Sequence, residues 1–116
     1  MTETQWDKQL KINTTGRQDA HADQYHYPYE PTPYCVLQRL AESGYINKNS
    51  KLVDYGCGKG RVGFFLNHQT GCFATGIEYN EEIYNQAQEN LKTYGRLSIP
   101  APFEPPVRTL RATLPV

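Results

Sequence analysis

The sequence predicts an α/β fold, the N-terminal part of a doubly wound parallel sheet in the order helix–β–α–β–α. Three observations carry this expectation. Two short, largely apolar runs, Lys51 to Tyr55 and Phe73 to Glu78, are bounded by turn-forming residues and read as strands. Segments with apolar residues at helical spacing precede, separate and follow them. Between the first strand and the next helix stands Gly56-Cys57-Gly58-Lys59-Gly60, a turn largely stripped of side chains.

Each element has its own local signals. Residues 1–24 are polar without a sustained period and read as a flexible or loosely packed arm. The aromatic, proline-rich stretch from Tyr25 to Tyr34 is expected to be extended. Thr32 followed by Pro33 reads as a side-chain cap and a first helical position, and Tyr34, Val36, Leu37, Leu40 and Ala41 follow at helical spacing up to Gly44. The second helix runs from about Arg61 to Thr70, with Val62, Phe65 and Leu66 inward and Gly71 as its stop. Asn80 caps a third helix, with Glu81 and Glu82 at the positive end of its dipole. Ile83, Ala87 and Leu91 form its buried stripe, and Gly95 ends it.

After Gly95 the character changes. Prolines at positions 100, 102, 105, 106 and 115 argue against a central strand, because proline donates no ladder hydrogen bond. Residues 96–116 are therefore expected to be an irregular tail, and the abrupt change points to a truncated or frameshifted end of a longer protein. A natural tail wrapped over the sheet edge is the alternative. The partial domain is placed at 25–95. Two parallel strands cannot bury both of their faces, so self-association through the exposed sheet edge is also expected.

Composition narrows the function. At 116 residues the chain is one domain at most. Acidic and basic residues balance at 12 each, which gives no signal for a nucleic-acid or membrane partner. No apolar run is long enough to span a bilayer and the N-terminus lacks a signal-peptide core, so a cytoplasmic protein is expected. Cys35, Cys57 and Cys72 are odd in number and widely spaced, which predicts free thiols and neither a metal site nor a disulfide framework.

The chemistry concentrates around the glycine turn. Gly56, Gly58 and Gly60 let a ligand approach the main chain closely. Arg61 stands where the third glycine of a dinucleotide fingerprint would be, and Asp54 would repel a pyrophosphate, so a nicotinamide dinucleotide is disfavoured. At the carboxyl end of the first strand, Asp54 suits instead the ammonium of an amino-acid moiety. Glu78, about twenty residues beyond the glycines, is placed to accept from two vicinal ribose hydroxyls, and Tyr79 to pack against an adenine. Each residue singly has a plainer reading, as an ordinary turn, a cap partner or a solvated strand end. Their joint occurrence favours the cofactor. Tyr25, Tyr27, Tyr29 and Tyr34 divide evenly between packing and ligand contact. His21, His26 and His68 read as surface residues. Lys59 and Arg61 read as solvated or helix-pairing charges, with a bond from Arg61 to Asp54 as the alternative.

DYGCGKGR followed by GIEYN resembles motifs I and II of the class I, seven-strand S-adenosylmethionine (SAM)-dependent methyltransferases, whose sheet is Rossmann-like. The resemblance implies that Asp54 holds the methionine ammonium, that Gly56, Gly58 and Gly60 line the methionine and ribose portion, and that Glu78 binds the ribose diol. Tyr29-Glu30-Pro31-Thr32-Pro33 is similar to a segment of seven-strand protein-lysine methyltransferases, which implies that Tyr29 and Thr32 lie near the SAM carboxylate. No later motif is matched, so no catalytic residue is named. The methyl acceptor is left between protein lysine and a small molecule. The alternative is a catalytically silent SAM-binding or assembly subunit that needs a partner chain to complete its sheet.

Overall fold

In the computed structural model, which describes residues 1–16, 29–95 and 106–112, the chain runs α1 (Glu3–Leu10), α2 (Tyr34–Glu42), β1 (Lys51–Tyr55), α3 (Arg61–Thr70), β2 (Phe73–Glu78), α4 (Glu81–Thr93) and β3 (Val107–Arg111). The strands form one parallel sheet in the order β1-β2-β3. Lys51 pairs with Phe73 and Tyr55 with Ile77, while Ala74 pairs with Val107 and Glu78 with Arg111. The expected α/β parallel architecture is present, and its strand and helix limits for β1, α3 and β2 match the turn signals in the sequence.

The helices α3 and α4 cover one face of the sheet. Gly63 of α3 lies so close that an added Cβ would stand 3.3 Å from the Ala74 Cβ, and Gln88 of α4 donates to the Thr109 hydroxyl at 2.6 Å. The buried core includes Phe64, Phe65, Leu66, Cys72, Ala74 and Val107. The opposite face carries Val53, Tyr55, Phe73 and Leu110, each exposed among the described residues. Strand residues alternate between faces, so one register places Asp54 and Glu78 toward the helices and leaves these apolar side chains outward.

Three expectations are corrected. Part of the arm at residues 1–24 is a packed helix rather than a flexible segment: Thr2 and Gln5 form a reciprocal capping box, Leu10 is fully buried, and Trp6 packs edge-on against Phe65. Its apolar stripe is only Trp6 and Leu10, too narrow to show as a period in polar surroundings. The tail expected to be irregular contains β3. Pro106 lies just outside the strand, where its carbonyl accepts from Ala74 N at 2.8 Å, and the proline-free run from Val107 to Arg111 pairs with β2. Thr32 does not cap α2, whose N-cap is Pro33 with no side-chain bond. On that helix Tyr34 and Leu37 face inward, whereas Val36 and Leu40 are exposed.

Candidate cofactor site

The carboxyl ends of β1 and β2 and the turn between β1 and α3 form the site. As the chain leaves β1, Gly56 N and Cys57 N both donate to Ile77 O, at 2.8 and 3.0 Å, which ties the turn to the end of the neighbouring strand. Gly60 N then donates to Cys57 O at 3.0 Å and the chain enters α3. Gly58 has φ +59°, and an added Cβ would stand 2.5 Å from the Tyr29 ring; Gly60 has φ +97° and meets Phe64 in the same way at 2.6 Å. Both positions therefore demand glycine for conformation and for space.

Glu78 closes the turn from the other side. Its Oε1 accepts from Gly58 N and its Oε2 from Asn80 N, each at 2.9 Å. A carboxylate has about four lone-pair sites, so each oxygen keeps acceptor capacity for a ligand. Asp54 differs. It is half-buried and has no hydrogen-bond partner among the described residues. Burial raises its pKa, and the nearby Glu78 carboxylate pushes the same way. Two carboxylates thus converge at adjacent strand ends, one of them desolvated and without a counter-charge. Such a site favours a cation that donates hydrogen bonds. The same surroundings, burial first and then Glu78 and Asp54, push the Cys57 thiol up to about 12, so it stays protonated. Cys57 fits because Gly76 faces it: a Cβ at residue 76 would stand 2.7 Å from Cys57 Sγ.

No protein-family model matches the chain. It is 30% identical over 82 residues to the histone-lysine N-methyltransferase, H3 lysine-79 specific, of Dictyostelium discoideum, across 71% of this chain and 4% of that protein. Over 71 residues it is 32% identical to a protein-lysine N-methyltransferase of Saccharolobus islandicus, across 60% of this chain and 44% of the relative. Among solved structures, the RNA methyltransferase from Salinibacter ruber in complex with S-adenosyl-L-homocysteine superposes with a TM-score of 0.59 at 25% identity, over 72% of this chain and 50% of that one. The chain belongs to the class I, Rossmann-like SAM-dependent methyltransferases. It spans less than half the length of the two curated relatives.

Within this chain, the residues expected at the site separate into groups. Asp54, Gly56, Gly58, Gly60 and Glu78 surround the turn, and Tyr29 joins them by packing on Gly58. Thr32 has an exposed side chain and contributes its carbonyl, which accepts from Arg61 Nη1 at 3.0 Å. Tyr79 is about a third exposed just beyond β2, and its carbonyl accepts from Arg111 Nε at 2.8 Å. Tyr25, Tyr27, His21 and His26 lie outside the described residues.

Arg61 is not solvated, contrary to expectation, and most of the Lys59 side chain is covered. Lys59 is buried with its Nζ 4.6 Å above the Tyr29 ring, and burial lowers its pKa. Arg61 is 3% exposed and stacks 4.2 Å over the Tyr34 ring. Its Nε donates to Thr14 Oγ1 at 2.8 Å, Nη2 to Thr15 Oγ1 at 3.1 Å, and Nη1 pairs with Glu3 at 2.5 Å. It therefore does not hold Asp54. Asp7 completes the network, accepting from Thr14, Thr15 and Tyr34 Oη. Burial alone would raise the Asp7 pKa, and those hydrogen bonds more than offset it, leaving it lowered. Sequence reasoning missed this network because its members are 7 to 58 positions apart. The one local signal was Thr2-x-x-Gln5, a capping box that declares a helix where an arm was expected.

Proposed function

We propose that this chain is the cofactor-binding half of a methyltransferase that takes SAM at the glycine turn. The observation that carries the reading is the half-buried Asp54 without a hydrogen-bond partner among the described residues, beside Glu78 at the ends of β1 and β2. Asp54 receives the ammonium, Glu78 the ribose diol, and Tyr79 borders the adenine. Gly56, Gly58 and Gly60 leave room for the methionine and ribose portion, and Tyr29 and Thr32 flank its carboxylate end. Bound SAM supplies a methyl already activated by its positive sulfur, so the protein's contribution is orientation and exclusion of water.

Protein lysine is the acceptor that the comparisons favour, because both curated relatives are named as lysine methyltransferases. The Tyr29–Pro33 segment supports the same class. Calorimetric titration with SAM, S-adenosyl-L-homocysteine and NAD tests the cofactor: the first two bind, and NAD does not. Equal heats for the parent, Asp54→Asn and Glu78→Gln would sink the assignment. Transfer of labelled methyl to a lysine-rich protein, against an arginine-substituted control, tests the acceptor.

A second reading is favoured by the open face of the sheet: a SAM-binding subunit that is completed by another chain. Parallel sheets are normally covered on both faces, and Val53, Tyr55, Phe73 and Leu110 form an apolar patch on the uncovered one. Light scattering after size exclusion decides it. A monomer that binds SAM and transfers methyl would exclude obligate assembly.

A further inference from the structure

Residues 12–15 cross the outer side of the glycine turn and are pinned there by side chains from two different helices. Arg61, at the start of α3, fastens Thr14 and Thr15. Asn90, on α4, accepts from Asn13 N at 2.8 Å and donates to both Asn13 O and Lys59 O at 3.0 Å, joining this segment directly to the turn. Thr14 O in turn accepts from Tyr29 Oη at 2.7 Å, and the Tyr29 ring rests on Gly58. A continuous chain of contacts therefore runs from Arg61 through Thr14 and Tyr29 to the bare backbone of the turn. Four of the five N–H donors of Arg61 are occupied by Glu3, Thr14, Thr15 and Thr32, so little of its donor capacity is left for a ligand.

We infer that Arg61 and Asn90 are positioning residues that hold residues 12–15 as a strap, seating Tyr29 on Gly58 and fixing the wall of the pocket at the cofactor's amino-acid end. This rests on the SAM reading above. Because the strap and α1 are one continuous segment, ligand binding and strap seating are thermodynamically linked, and each stabilises the other by the same amount. Trp6, the single tryptophan, lies on α1 against Phe65 and Tyr34 and reports that seating.

The test uses the 116-residue chain. The variants are Arg61→Lys, which keeps the charge and loses the fork, and Glu3→Gln, which neutralises the partly exposed carboxylate that pairs with Arg61 and accepts from Tyr34 N. Two ligands are titrated: S-adenosylhomocysteine, and 5′-methylthioadenosine, which lacks the amino-acid end. In Arg61→Lys the homocysteine ligand weakens about tenfold or more while methylthioadenosine changes less than about threefold, and in Glu3→Gln the same pattern appears at up to about fivefold. S-Adenosylhomocysteine also lowers acrylamide quenching of Trp6 in the parent. Equal weakening of both ligands marks a merely structural role and overturns the proposal, as does unchanged affinity. If Arg61→Lys fails to fold, Glu3→Gln decides on the same criteria. A parent chain that binds neither ligand overturns the cofactor reading and this proposal with it. A parent that binds, with variants that do not discriminate, overturns this proposal alone.

Discussion

Asp54→Asn separates stability from binding. The side chain is half-buried, carries no hydrogen bond among the described residues and faces the charge of Glu78. Burial first, and then Glu78, raises its pKa in the folded protein. A raised carboxylate pKa means that the folded state holds the proton more tightly than the unfolded chain. The stability associated with Asp54 is therefore fully present below the unfolded value of about 3.9 and is lost as pH rises through the folded value. At neutral pH the ligand-free protein carries this penalty. Asparagine has nearly the same size and no charge, so Asp54→Asn should stabilise the ligand-free chain at pH 7 and raise its Tm. The gain should vanish near pH 3, where both forms are neutral. With S-adenosylhomocysteine the order reverses. Loss of a charged hydrogen-bonding partner costs about 1.5–3 kcal/mol, a roughly 10- to 150-fold rise in Kd. Scanning calorimetry across pH, with and without ligand, measures both effects. A less stable ligand-free variant at pH 7, or unchanged ligand affinity, would refute the reasoning.

Other substitutions and conditions probe the rest of the site. Gly58→Ala should cost about 1–2 kcal/mol from its positive φ, plus the displacement of Tyr29, and should weaken ligand binding. Gly44→Ala, with φ +83° and no atom within 4 Å, should show the conformational cost alone; equal losses in urea titrations would dismiss the Tyr29 contact. Asp7 has a lowered pKa, so its stabilising contribution is present above about pH 4 and lost as pH falls through the folded value. Trp6 emission should accordingly change in acid, and Asp7→Asn should flatten that acid limb. Only Cys35 is exposed, so one thiol should react quickly with a disulfide reagent at pH 8, while Cys57, pushed up to about 12, and buried Cys72 stay slow until unfolding. Three fast thiols in the native chain would contradict this burial. Glutamate in place of both Tyr55 and Leu110 should abolish any concentration-dependent association seen by light scattering, if the open face mediates it.

Much of the βαβ core, and of the candidate site built on it, was legible from local pattern, because its determinants are adjacent in the chain. A glycine turn between a short apolar run and a helix, followed about twenty residues on by an acid that ends a second strand, needs no tertiary information to read. Gly71 as the stop of α3 and Asn80 as the cap of α4 are likewise one-residue signals, one through glycine's freedom at positive φ and the other through a side-chain oxygen that accepts from Ile83 N. The proline-rich tail misled because proline counts against a strand only where its missing N–H would face a partner. Pro106 sits one residue outside β3, and the sequence alone did not show where the ladder begins.

By itself, then, the sequence determined the α/β class, the turn and the pair of acids, since short-range periodicity and side-chain geometry decide those features. The tertiary structure decided the fate of every charge around them. Arg61 and Lys59 read as solvated from their neighbours in the chain and are buried, because Glu3, Thr14 and Thr15 arrive from the far N-terminus to satisfy one and the Tyr29 ring covers the other. A buried charge is tolerable only when its donors find acceptors, and those acceptors lie up to 58 residues away. That long-range satisfaction turns a polar N-terminal segment into a helix and a strap.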